Sequence, residues 1–260
     1  TNLVGAWSLR KLKNSALYAN NVRRSNDNST TDIGFSSRDY NVSALNSHVG
    51  ANSGFVTTWY DQSGNNKNLT QTNSGNQPRI VNAGTNETIN SKVAVKGVSS
   101  SSTRIQAEIG TVTTTTLTVI LVCSLSTYTN FNRRLVSANY NDNNDYGSST
   151  SFNINHAGSN YLSIENSTVL SGSVTENTPV VISVVWSAGA FFFRKNGVQI
   201  AIGGNGNTID INKFLLFGQR FNQHSDCSIS ECVFYSRALN TTELQSLERN
   251  MGTYYGITVA

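Results

Sequence analysis

An all-β sandwich, closed by one short C-terminal helix, is the architecture this sequence predicts. Short apolar runs of strand length recur along the whole chain, separated by Gly, Asn, Asp and Ser turn formers. Helical spacing is clearest late, at Leu244, Leu247 and Met251, behind Asn240 or Thr241 as cap. No repeat or linker interrupts the chain, so residues 1–260 read as a single domain.

The elements follow in order. Val4-Gly5-Ala6-Trp7-Ser8-Leu9 is a largely apolar strand, and Asn41 to Leu45 is a short helix or a loop. Phe55 to Tyr60 is a strand that ends in Asp61-Gln62-Ser63-Gly64-Asn65, whose side chains can hydrogen-bond their own backbone in a turn. A turn at Asn82-Ala83-Gly84 precedes a strand at Val93-Ala94-Val95, and Ser99 to Ser102 is a loop. Leu117 to Leu125 is almost uninterrupted apolar sequence, the pattern of a strand buried on both faces. Leu135 to Ala138, Ser151 to Ile154 and Tyr161 to Glu165 are shorter strands. Val180 to Trp186 is a core strand, followed by Phe191-Phe192-Phe193 and a hairpin at Asn196-Gly197. Phe214 to Gly218 and Ile229 to Tyr235 complete the strands.

Composition narrows the function. Charged residues make up 13% of the chain, against about 25% in ordinary domains. Ser, Thr, Asn and Gly must therefore provide the polar surface, which favours an extracellular, cell-surface or virion setting. The net charge is +4, but the basic residues are scattered, with small pairs at Arg23-Arg24 and Arg133-Arg134. That argues against nucleic acid as a partner. No run approaches the ~20 apolar residues of a membrane span, so no membrane insertion is expected. The start at Thr1 without Met leaves a removed leader and an excised domain both open. Cys123, Cys227 and Cys232 are too few for a disulfide framework and are expected as buried free thiols. A bridge from Cys123 to one of the others is the alternative.

Several words carry a family resemblance. Trp59-Tyr60-Asp61-Gln62-Ser63-Gly64-Asn65, then Leu69-Thr70-Gln71 and Gln77-Pro78-Arg79-Ile80-Val81, resembles a run shared by two related groups. One is the catalytic domain of the α-L-arabinofuranosidase B family. The other is the LamG-like, concanavalin A-like jelly-roll modules of secreted, cell-surface and phage proteins. Trp7 to Arg10, Val22 to Asn28 and Asp32 to Phe35 match the opening of those modules. Glu231 to Leu239, Tyr255 to Ile257 and the Asn196-Gly197-Val198 hairpin match their ending. The resemblance implies a concanavalin A-like (LamG-like) β-sandwich jelly roll.

It also implies where chemistry belongs. A retaining glycosidase needs two carboxyl groups about 5–5.5 Å apart. Glu165 falls on the family's nucleophile and Asn166 on a neighbouring sugar-binding amide, whereas Ser163 stands where the family has Asp. The family's acid/base word corresponds to Leu215 through Asn222, which holds no carboxylate; Asp226 is the nearest. The family's adjacent cysteine pair is missing as well. One carboxylate cannot both attack and protonate a leaving group. The expected function is therefore a non-catalytic glycan- or surface-binding adhesion or decoration module, with neighbouring virion or surface proteins as further partners. The alternatives are an arabinofuranosidase-like hydrolase using Glu165 and Asp226, and a purely structural virion or surface-layer protein.

Sugar recognition uses aromatic faces, planar amides and carboxylates. Glu165, Asn166, Tyr140, Tyr146, Tyr161 and His156 are the expected ligand-binding residues. The one cofactor considered is Ca²⁺, which takes oxygen ligands. Asp142, Asp145 and Asn143, in an Asx-rich loop, are its expected ligands, with Asp61 and Asp27 as second candidates.

Overall fold

A computed structural model describes residues 2–127, 133–139, 152–158, 161–166, 168–187, 189–204, 208–218 and 223–260. At 139, 161–166 and 168–170 it describes the backbone alone. Twenty strands form one hydrogen-bonded, antiparallel sheet that folds over on itself.

One half of the sandwich is built on Leu117–Leu125. It pairs with Val180–Ser187 on one side and Cys227–Tyr235 on the other. Leu3–Ser8 extends this half beyond Cys227–Tyr235, and Ala190–Lys195 with Val198–Gly203 extends it beyond Val180–Ser187. Both faces are apolar. Val119, Leu121 and Cys123 point into the inter-sheet core, while Ile120 and Val122 point outward. The outward set meets Leu244, Met251 and Tyr255 of the helix α2 (Thr241–Tyr255). This explains why the run lacks the alternation of a half-exposed strand. Asn240 caps α2 in a capping box with Glu243, as its sequence forecasts.

The other half runs from Tyr18–Arg24 through Gly54–Trp59 and Leu69–Thr70 to Ile105–Thr114. Ile209–Leu216, Arg133–Asn139, Phe152–Gly158, Tyr161–Asn166 and Thr168–Ser173 follow in lateral order. Aromatic stacks join the halves. Phe214 lies 5.0 Å from Trp7 and 5.3 Å from Phe234, and Phe152 lies 5.8 Å from Phe191. Offset stacks of this kind add about 0.5–1.5 kcal/mol each beyond the area they bury.

The jelly-roll expectation holds, with local differences. The ambiguous segment after Asn41 is a helix, α1 (Val42–Val49), because the Asn41 side chain accepts from Ala44 N–H and Leu45 and Val49 reach the core. The Ser99–Ser101 stretch is a 3₁₀ turn. The long strand Ile105–Thr114, absent from the sequence reading, alternates polar and apolar through its first half. Asn196 and Gly197 both have positive φ, 49° and 83°, the geometry of a tight hairpin turn. All three cysteines are free and buried. Cys123 lies on a strand directly paired with the one that carries Cys227 and Cys232, not across the sandwich from it. Burial pushes the Cys227 thiol up to about 12, so it is inert.

The Asp61 word is a staple. Asp61 accepts from the backbone N–H groups of Ala6, Ser63 and Lys67 at 2.9, 2.8 and 3.0 Å, and from the Ser63 hydroxyl at 2.7 Å. Gln62 donates to the carbonyls of Ser8 and Arg10 and accepts from Leu12 N–H. The turn thus clamps Leu3–Ser8 at the sheet edge. These bonds occupy Asp61 without a metal, and Asp27 is likewise held by Arg24 and Ser29. A second staple is the buried bidentate pair of Arg10 with Glu231, at 2.6 and 2.9 Å. Glu231 also accepts from Ser8 and Tyr255.

Candidate active site

The sandwich half without a covering helix turns a polar face away from the core. On Phe152–Gly158, Phe152 and Ile154 belong to the core cluster, so Asn153 and Asn155 lie on the opposite face. On Arg133–Asn139, Val136 and Ala138 are core and Ser137 is opposite. Register aligns these positions. Leu215 pairs with Ser137, Ser137 with Asn153, and Asn153 with residue 165. In the next row Arg134 pairs with Asn155, and Asn155 with residue 163.

Ser137, Asn153, Asn155 and Arg134 are all buried. Yet Ser137 Oγ and Asn153 Oδ1, neighbours in one row, have no hydrogen-bond partner. Other orphaned atoms, such as the Trp59 and Trp186 indole nitrogens, sit in the core. An orphaned buried polar atom costs about 1–3 kcal/mol. Two of them together on the face away from the core mark a place where a polar ligand can return that cost.

The chain leaves this half through a strained corner. Phe217, directly after Ile209–Leu216, has φ of 70°, which costs a bulky residue about 1–3 kcal/mol. Phe217 N–H donates to Leu135 and its carbonyl accepts from Ser225 N–H, at 2.9 and 2.8 Å. Gly97 and Gly218 make room: a Cβ on Gly218 would stand 2.1 Å from His224 Nδ1. His224 Nδ1 is hydrogen-bonded to the Thr103 carbonyl at 3.0 Å. Burial, with Arg104 and Arg133 nearby, holds the His224 pKa below its ordinary value against that bond.

The expected site residues divide three ways. Glu165, Asn166 and Tyr161 lie on the strand Tyr161–Asn166, with residue 165 on the Ser137–Asn153 row. His156 is on the other face, buried, its Nε2 3.3 Å from Glu176 Oε1. Burial lowers its pKa, and Glu176 opposes the shift. Asp226 lies at the start of Cys227–Tyr235 with both oxygens engaged by Ser99, one by its N–H at 2.9 Å and one by its hydroxyl. Tyr140, Tyr146, Asp142, Asp145 and Asn143, and with them the expected Ca²⁺ ligands, fall outside the described residues. Among the described residues no group of three or more His, Cys, Asp or Glu side chains gathers as a metal site. The sequence reading passed over Ser137, Asn153, Asn155 and Arg134. The alternation Phe-Asn-Ile-Asn at 152–155 was their available signal.

A family profile described as Alpha-L-arabinofuranosidase B, catalytic, matches residues 4–205. The chain belongs to that family. Its match overturns the expectation of a non-catalytic adhesion or purely structural module, and it favours the glycoside hydrolase alternative. Among solved structures, a GH54 α-L-arabinofuranosidase soaked with a cyclic sulfate inhibitor is similar at 16% identity and a TM-score of 0.74. An arabinofuranosidase complexed with arabinofuranosyl-α-1,2-xylobiose is similar at 17% identity and 0.75. Each comparison covers 96% of this chain but only 62% of the other, so the chain spans about three-fifths of their length. Trypanosoma rangeli sialidase is similar at 14% identity and 0.54, over 75% of this chain and 31% of that one. No curated protein matches. These likenesses show the β-sandwich fold.

Proposed function

We propose that this chain is a glycoside hydrolase that removes α-L-arabinofuranosyl groups, with Glu165 as nucleophile. One observation carries the site: residue 165 shares a cross-strand row with Asn153 and Ser137, whose buried oxygens lack partners. A carboxylate position beside unpartnered hydroxyl and amide oxygens suits a neutral sugar, which brings several hydroxyl donors. The likeness to arabinofuranosidases, one of them complexed with an arabinofuranosyl-xylobiose, supports the substrate class.

In this reading the sugar lies across the row. Its hydroxyls donate to Asn153 Oδ1 and Ser137 Oγ, and the Glu165 carboxylate attacks the anomeric carbon. Asp226 is not assigned the acid/base role, because Ser99 engages both its oxygens. The acid is sought instead near the strained Phe217 corner, which begins one residue past Leu216, next to the row. The low charge of the chain supports an extracellular place of action.

The test is hydrolysis of 4-nitrophenyl α-L-arabinofuranoside. Glu165→Gln should lower kcat by about three orders of magnitude or more with the fold intact, as removal of a covalent nucleophile does. Wild-type turnover that survives Glu165→Gln would reject the assignment.

A further inference from the structure

On the opposite side of the sandwich from the polar row, α2 and the first strand border a groove. One part, of about 760 Å³, lies along Arg10, Arg38, Lys92 and Arg249. A second part, of about 490 Å³, shares Arg10 and Arg38 and adds Lys13. These cations are far apart in sequence, which is why they read as scattered. Two of them are compensated in place: Arg10 by Glu231, and Lys92 by Asp39 at 2.9 Å. Asp39 is further tied by the Tyr254 hydroxyl at 2.6 Å. Lys13, Arg38 and Arg249 form no ion pair among the described residues. Three uncompensated cations therefore line one groove of a chain whose whole net charge is +4. Ser246, Asn250 and Thr253 of α2 add hydroxyl and amide groups between them.

We propose that this groove binds an acidic saccharide chain, its uronate carboxylates meeting Arg38 and Arg249 and its hydroxyls meeting Ser246, Asn250 and Thr253. The guanidinium fork matches a carboxylate with two parallel hydrogen bonds, the arrangement Arg10 already makes with Glu231 in the groove wall. Neutral donors and acceptors between the cations suit sugar hydroxyls, which a simple anion does not need. Such a site would hold a decorated polysaccharide on one side of the molecule while the polar row lies on the other.

The experiment is calorimetric titration of the whole chain, at low and high salt, with a short oligogalacturonate. A neutral arabino-oligosaccharide and a polyphosphate of similar length are the comparators. The acidic saccharide should bind tightest and lose affinity with salt. The double variant Arg38→Gln/Arg249→Gln should weaken it by about tenfold or more, with the melting temperature unchanged. Binding that the double variant leaves intact would overturn the proposal. So would absence of binding, equal binding of the neutral saccharide, or tighter binding of polyphosphate. None of these readouts depends on hydrolysis, so this proposal and the Glu165 assignment fail separately.

Discussion

Asn153 offers the sharpest separation of function from fold. Its Oδ1 is buried without a partner, so the folded chain carries a desolvation cost of about 1–3 kcal/mol there. Asn153→Leu keeps most of the side-chain volume and removes the orphan. The folded state should be unchanged or gain about 1 kcal/mol, since replacing an unsatisfied polar group by an apolar one of similar shape is neutral or stabilising. That is about 2–4 °C in melting temperature for a domain of this size. Activity should move the other way. A lost hydrogen bond to a sugar hydroxyl is worth about 0.5–1.5 kcal/mol. An amide site emptied of its partner at the reacting sugar should therefore cost kcat/KM about tenfold. The paired assay is a thermal melt and kcat/KM on 4-nitrophenyl α-L-arabinofuranoside. A variant that melts several degrees lower with undiminished kcat/KM would show that Asn153 serves the fold, and the row would no longer mark the site.

Asp61→Ala removes an acceptor shared by three backbone N–H groups and a hydroxyl. At about 1 kcal/mol per bond, discounted for partial exposure, it should cost roughly 3–4 kcal/mol, read as the shift of a urea midpoint at constant slope. EDTA should leave the wild-type midpoint where it is, whereas an EDTA-sensitive midpoint would restore Asp61 as a metal ligand. The pKa values of His156 and His224 are both lowered, chiefly by burial. The unfolded chain therefore takes up protons first as pH falls. Stability should be complete above about pH 6.5 and decline below it, by at most ~1.4 kcal/mol per pH unit for each histidine. His224→Gln should flatten that slope in melts between pH 7 and 5, and an unchanged slope would place the proton uptake elsewhere.

Much of the fold was legible because the relevant signals were local. The apolar run Leu117–Leu125 had the right bounds, since burial on both faces leaves no alternation to misread. The C-terminal helix was marked by its cap and spacing, and Asn196-Gly197 by its turn chemistry. Ile105–Thr114 escaped because its partners are far away in sequence, at 209–216, and its second half is a polar Thr-rich run. The candidate site was half legible. Glu165 stood out by resemblance alone, whereas Asn153 and Ser137 become its neighbours only through strand register, which no single segment encodes. His156 failed to join them for the same reason: one residue of parity on its strand moves it to the core face.

The words that revealed the family are mostly framework. Asp61 and Gln62 staple an edge strand, and Arg10, Glu231 and Tyr255 close one buried network between the two ends of the chain. Breaking such a network leaves an uncompensated buried charge, at about 3–5 kcal/mol. These residues are therefore constrained by folding whatever the opposite face does. A sequence can keep all of them while its sugar-facing row changes, and the missing carboxylate at 219–222 is such a change. The framework words thus secure the sandwich, and the Ser137–Asn153–Glu165 row is where activity on a particular arabinoside has to be decided.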